Sequence, residues 1–167
     1  MKWLKDWLVK RKVEKLLLHH NKRAVDIPEK IKTIGILASS EVEFEAIKGH
    51  IRNIWGYQVR IGGYYYSDKK EMSIDGFNHS HFNINGTPSD HFNAFLEEDW
   101  NLLFVPSLKL NDYLRYLLLL KKSRLSMGFF SEDTKPFLDL MLQYEEKDIH
   151  ENIQYLIHYL NKIKKAC

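Results

Sequence analysis

Residues 99–130 read DWNLLFVPSLKLNDYLRYLLLLKKSRLSMGFF. Leu102-Leu103-Phe104-Val105 is a short apolar run stopped by Pro106-Ser107, and Leu125-Ser126-Met127-Gly128-Phe129-Phe130 is a second. Between them lies a Leu-rich segment with room for about four helical turns. A crossover of this length joins parallel strands, and its helix must cover one face of their sheet. The same unit is legible upstream. Lys32-Thr33-Ile34-Gly35-Ile36-Leu37 has the β-branched content of a buried strand, Ser39 or Ser40 can cap the next helix, and Glu43 stands at capping-box spacing from Ser40. That helix is expected to run to Trp55, burying Val42, Ile47, Ile51 and Ile54, and to end at Gly56. Tyr57 to Tyr66 follows as the second strand, with Gly62-Gly63 allowing a close approach or a bulge.

The remaining segments fit around these two units. Residues 67–98 hold turn chemistry at Ser67-Asp68-Lys69-Lys70, Asp75-Gly76 and Asn85-Gly86-Thr87-Pro88, with room for a short edge strand between Ile74 and Ile84. A helix from Ser89-Asp90 to about Glu98 would bury Phe92, Phe95 and Leu96. Phe137 to Leu142 reads as a fifth strand. Asp148 to about Lys165 reads as a last helix with Ile149, Ile153, Leu156, Ile157, Leu160 and Ile163 on one stripe. The expected fold is α/β: a single three-layer domain over residues 30–167, with a mostly parallel sheet of about five strands, preceded by a basic helix over residues 1–24.

Composition narrows the function classes. The chain has 167 residues, 44% hydrophobic and 28% charged, which are globular values for one domain. The net charge is only +3, but Lys2, Lys5, Lys10, Arg11, Lys12, Lys15, Lys22 and Arg23 face only Asp6 and Glu14 in the first 23 residues. The single Cys167 excludes an internal disulfide and a Cys-rich zinc site, and a frayed end cannot hold a nucleophile beside its base. No apolar run approaches the ~18 residues of a membrane span. No secretory signal or prenylation motif is present, so a cytoplasmic location, peripheral to the inner membrane, is expected.

The basic helix is the leading functional feature. Trp3, Leu4, Trp7 and Leu8 share one face, whereas Val9, Val13, Leu16 and Leu17 gather on the opposite one, so the apolar stripe changes sides halfway. Such a helix docks its second half on its own domain and offers the first half elsewhere, or packs on the domain throughout. Lys2, Trp3, Lys5, Trp7, Lys10, Arg11, Lys12 and Lys15 are the candidate contacts to a protein partner or an anionic membrane surface.

Other chemistry is weaker. The junction Leu37-Ala38-Ser39-Ser40-Glu41 lacks the glycine pattern of a dinucleotide fold, and there is no Gly-Lys-Ser/Thr phosphate loop. Ser39, Ser40 and Ser107 could offer hydroxyls to a ligand at the carboxyl edge of the sheet, but as helix caps they already have a role. Asp68 and Asp75 lie near strand ends without a paired group. His79 and His81 could share a side with His91 approaching, yet the segment is irregular and no carboxylate stands between them; no metal or cofactor is assigned. His19 and His20 diverge by about 100° on a helix and are expected in solvent. Tyr64-Tyr65-Tyr66 alternates faces, which favours packing over RNA stacking.

In order along the chain, the basic helix, Ile34-Gly35-Ile36-Leu37, Gly62-Gly63-Tyr64-Tyr65, Phe82-Asn83-Ile84-Asn85-Gly86-Thr87-Pro88, Trp100 to Ser107 and Ser126-Met127-Gly128 resemble an uncharacterised domain-of-unknown-function family of Bacteroidota bacteria. The resemblance implies a small Rossmann-like domain in a bacterial cytoplasm and no established activity. The family pattern carries acidic residues after the first strand and near Phe104 to Ser107, where this chain has Ala38-Ser39-Ser40 and Val105-Pro106-Ser107. The central unit also resembles the amino-terminal domain of two-domain glycosyltransferases, a likeness of architecture only. The expectation is a non-enzymatic domain that binds a partner or an anionic membrane through its basic helix. The alternatives are a ligand-binding or enzymatic domain using the carboxyl edge of the sheet, or an RNA-binding protein.

Overall fold

Ile34, Ile36 and Ala38 point to one side of the first strand and Gly35 and Leu37 to the other, and all five are buried. Such a strand lies at the centre of a sheet covered on both faces. In the computed structural model, which describes residues 1–21 and 24–166, the elements run in the order α1 (Lys2–Leu18), β1 (Thr33–Ala38), α2 (Glu41–Trp55), β2 (Arg60–Tyr66), β3 (Gly76–Phe77), α3 (Asn93–Glu97), β4 (Trp100–Val105), α4 (Asp112–Leu120), β5 (Ser123–Phe129), β6 (Leu140–Leu142) and α5 (Ile149–Ala166). The sheet order is β3-β2-β1-β4-β5-β6, and every pairing is parallel. The α/β three-layer class is as expected, with six strands in place of about five.

One core lies between the sheet and α2 with α5, built on Phe44, Ile47, Ile51, Ile153, Leu156, Ile157 and Leu160. The other lies on the opposite face, where α1, α4 and the 67–98 segment supply Val9, Val13, Phe77, Phe82, Phe92, Phe95, Leu114 and Leu117. The helix α2 corrects the expected buried set: Phe44 and Ala46 are inside, whereas Val42 is 71% and Ile54 47% exposed. Phe44, Ile47 and Ile51 follow the helical repeat, while Val42 stands about 200° from Phe44, and Ile54 falls in the last turn.

Several boundaries moved for local reasons. Gly56–Gln58 forms a 3-10 turn, so β2 begins at Arg60. The crossover helix α4 has nine residues instead of four turns, because Asn111 caps it by accepting from the Leu114 amide and the Leu110 amide is held outside by Asp133. The helix expected from Ser89 opens as a 3-10 turn, Asp90–Phe92, before α3. The expected strand from Phe137 starts only at Leu140. Asp139 instead accepts from the amide and hydroxyl of Ser126, and the Asp139 amide donates to the Ser126 carbonyl.

Trp100 explains two of the glycines. Gly35 and Gly62 are register partners on adjacent strands, and the Trp100 indole lies across both: a Cβ on Gly62 would stand 2.6 Å from Cη2, and one on Gly35 3.2 Å from Cδ2. The indole N–H donates to the Phe95 carbonyl at 2.9 Å, tying α3 to the sheet. Gly62→Ala is expected to lower the stability measured by urea unfolding by about 1–3 kcal/mol, the usual cost of overpacking. Gly49→Ala, in α2 with nothing within 4 Å of the added carbon, is expected to raise it by up to about 1 kcal/mol through helix propensity.

Candidate functional site

The basic helix α1 is docked along its whole length on one side. Val9 and Val13 are buried in the second core. Toward the amino end, where apolar residues are missing from that side, polar bonds take over. The Tyr113 hydroxyl donates to Asp6 Oδ1 at 2.6 Å, and Lys5 Nζ donates to the carbonyls of Phe82 at 2.6 Å and His79 at 3.3 Å. Gly86 lies against the same helix; a Cβ there would come within 3.1 Å of Leu8 Cβ. The change of apolar side seen in the sequence is therefore an exchange of bonding type on one continuous docking face. Burial and the Asp6 carboxylate push the Tyr113 hydroxyl far above its usual range, so this bond persists at any physiological pH.

The opposite side of α1 is left to solvent. Trp3 is 72% exposed, Trp7 49% and Leu18 83%, and Lys10, Arg11, Glu14 and Lys15 are exposed beside them. The spacing Trp3, Trp7, Lys10 or Arg11, Glu14, Leu18 keeps these side chains on one stripe. The Arg11 guanidinium sits 4.8 Å from the Trp7 ring centre. Of the eight contacts named from sequence, Trp3, Trp7, Lys10, Arg11 and Lys15 come together on this face. Lys2 lies at its margin, paired with Asp68 at 3.7 Å. Lys5 and Lys12 turn to the domain side, Lys12 lying 5.9 Å from the Tyr116 ring centre. Lys22, Arg23 and Cys167 lie outside the described residues. Leu18 joins the face as well, two helical turns beyond Arg11 and three beyond Trp7, a spacing visible in the sequence.

The carboxyl end of the sheet is knitted by its own serines. Ser40 caps α2, accepting from the Glu43 amide at 3.3 Å. Ser107 is no helix cap: its hydroxyl accepts from the Ser39 amide at 2.7 Å and donates to Glu43 Oε2 at 2.6 Å, bridging the loops after β1 and β4. The Ser39 hydroxyl donates to the Lys109 carbonyl at 2.5 Å. In this strand order those loops flank the reversal point where ligands usually sit, and here protein groups occupy it. An open depression of about 580 Å³ lies beside it, lined by Ser39, Ser40, Tyr66, Asp68 and Lys69. Asp68 accepts from the Tyr66 hydroxyl, and Asp75 pairs with Lys48 at 3.4 Å.

Four of the eight histidines form two close pairs. The His81 and His91 rings stand 4.6 Å apart, and the His81 ring nitrogen Nδ1 accepts from the Asn78 amide. Among the described residues no group of three or more His, Cys, Asp or Glu is placed to hold a metal ion. The second pair was not legible in sequence: His50 on α2 and His150 on α5 meet at 3.1 Å. Burial, followed by the charge of His150, lowers the His50 pKa, with Asp148 opposing.

A second concavity, of about 470 Å³, runs along β2. Its lining includes Arg60, Gly62, Gly63, Asp75, Glu98 and Trp100; the sequence marks Gly62-Gly63 and Asp75 as local features but does not bring them into one groove.

Two expectations follow from these bonds. Ser107→Ala removes the shared partner of the Ser39 amide and the Glu43 carboxylate, and a loss of about 1–3 kcal/mol in chemical denaturation is expected. For His50, the folded state holds the proton less tightly than the unfolded chain, so its contribution to stability is present above the ordinary histidine pKa of ~6.5 and is lost as pH falls below it. Unfolding midpoints of His50→Gln measured from pH 8 to pH 5 are expected to fall less steeply than those of the wild type.

Residues 5–163 match the family of unknown function DUF6913, and the chain belongs to that family. No curated protein and no solved structure matches it.

Proposed function

We propose that this DUF6913 member is a non-enzymatic docking domain that binds an anionic membrane surface through the outward face of α1. The observation that carries the reading is the pairing of two exposed tryptophans and Leu18 with Lys10, Arg11 and Lys15 on the side of the helix that the core does not use. An indole suits the headgroup level because one part is apolar and the other a hydrogen-bond donor. A helix lying in that plane presents apolar residues downward and cations to lipid phosphates. No helix among the described residues is long and apolar enough to cross a membrane, so the contact proposed is peripheral, at the inner face of a bacterial cytoplasmic membrane.

Magnitudes favour an anionic surface over a neutral one. Each Lys or Arg near such a surface contributes about 1 kcal/mol, so three cations supply about 3 kcal/mol before the tryptophans insert, with Glu14 subtracting from it. Two charge reversals should then cost at least tenfold in affinity. The docked side argues that the helix arrives preformed, so binding does not carry the entropy of folding it.

Co-sedimentation of the full chain with vesicles of phosphatidylcholine alone and with one-third phosphatidylglycerol tests the reading. Binding is expected only to the anionic vesicles and to weaken as salt rises. Trp3→Ser/Trp7→Ser and Lys10→Glu/Arg11→Glu are each expected to weaken it at least tenfold while leaving the melting temperature nearly unchanged, since these side chains are exposed. Equal binding to both vesicle types, or none to either, overturns the membrane reading; a protein captured through Trp3 and Trp7 without lipid replaces it with a protein interface.

A further inference from the structure

Two imidazoles meet where the helices of the first layer pack. His50 stands on α2 between the buried Ile47 and Ile51, and His150 stands in the first turn of α5, one turn before the buried Ile153. Those isoleucines fix both helix backbones, so the core itself brings the rings together. His50 Nε2 and His150 Nδ1 are 3.1 Å apart, with ring centres 5.3 Å apart. His150 is exposed and His50 half-buried, and among the described residues neither ring makes another hydrogen bond.

As it stands the contact is a hydrogen bond, in which one ring donates its N–H and the other accepts. The same separation fits two ligands of one cation. With metal–nitrogen bonds of about 2.0–2.1 Å, two imidazoles on one ion lie about 2.9 Å apart at a right angle and about 3.3 Å apart at the tetrahedral angle. The observed 3.1 Å falls between them. Exchanging the shared proton for a cation therefore asks for a turn of the two rings and no shift of the helices. The proton moves to the other nitrogen of the donating ring, His50 Nδ1 or His150 Nε2, each without a bond to the described residues.

We propose that His50 and His150 are a two-nitrogen site for a divalent transition-metal cation, Zn²⁺ or Cu²⁺, that clips α5 to α2, with water in the remaining positions. Neutral imidazole suits these ions, whereas Mg²⁺ and Ca²⁺ take oxygen ligands. Local charge is balanced. The start of α5 disfavours a cation, and the Asp148 carboxylate, which accepts from the His150 amide at 3.4 Å and acts on His50 through space, opposes this. Among the described residues no third His, Cys, Asp or Glu is placed to complete the set. The ion is therefore exchangeable, unlike the four-ligand structural sites that fold a domain outright.

Zn²⁺ is diamagnetic, so nuclear magnetic resonance of the full chain reads the site ring by ring. At pH 7.5 the His50 and His150 ring signals are expected to shift together and to saturate at one ion per chain at submillimolar Zn²⁺, with no shift from Mg²⁺ at the same concentration. The melting temperature is expected to rise by about 3–6 °C at ten times the dissociation constant. In His50→Gln and in His150→Gln, the remaining ring should need at least tenfold more Zn²⁺ to shift, and the rise in melting temperature should disappear. The proposal is overturned if neither ring shifts, if only one does, if the remaining ring in either variant responds as in the wild type, or if both rings shift without a rise in melting temperature. Shifts confined to His81 and His91, or a rise in melting temperature that both variants keep, place the ion elsewhere and overturn it equally.

Discussion

A parallel sheet has to be covered on both faces, and this chain has too little crossover helix to do it in the ordinary way. The helix α2 and the terminal α5 close one side. On the other side α4 has only nine residues, so the cover is completed by α1 from the opposite end of the chain and by the aromatic cluster of residues 67–98. The N-terminal helix is thus part of the core, not an appendage. Its Val9 and Val13 are buried, and Asp6 and Lys5 are bonded to Tyr113 and to the 79–82 turn. That docking dictates which side of the helix remains free, and the free side carries the tryptophans.

The same shortage of cover shapes the β2 edge. Where α1 and α4 do not reach, the Trp100 indole lies flat over Gly35 and Gly62 and is anchored to Phe95. Backbone and one indole close the face there, and the two-residue β3 pairs with β2 only at Tyr65 and Tyr66. The groove is a by-product of how the second layer is built. At the carboxyl end the opposite holds: Ser39, Ser107 and Glu43 satisfy one another, filling the reversal point of the sheet with protein hydrogen bonds.

Much of the architecture was legible because it rests on short-range pattern. The two strand, helix, strand units, the Ser40 cap and the stripe of α5 follow from apolar periodicity and capping chemistry. What escaped depends on contacts distant in sequence. The mostly apolar run Phe137 to Leu142 reads as a longer strand, but Asp139 is claimed by Ser126. Ser107 resembled a cap until Glu43, far away in sequence, turned out to be its acceptor. The apolar stripe of α1 seemed to change sides because periodicity does not register Asp6 and Lys5 as docking residues, which they become only when Tyr113 and the Phe82 carbonyl are in place. His50 and His150 are a hundred residues apart and meet only when α2 and α5 pack.

The central claim is that a helix held rigidly by one side offers Trp3 and Trp7 to lipid headgroups. The two other tryptophans are distinguishable from them: Trp100 is buried, and Trp55 packs against the first core. Depth-dependent quenching of tryptophan fluorescence by brominated lipids, in vesicles with one-third phosphatidylglycerol, reports on this contact directly. The account predicts quenching in the wild-type chain, greatest for bromines nearest the headgroup, and its loss in Trp3→Phe/Trp7→Phe, where only Trp55 and Trp100 still fluoresce. Unquenched wild-type fluorescence at saturating lipid, or quenching that survives in the double variant, would contradict it.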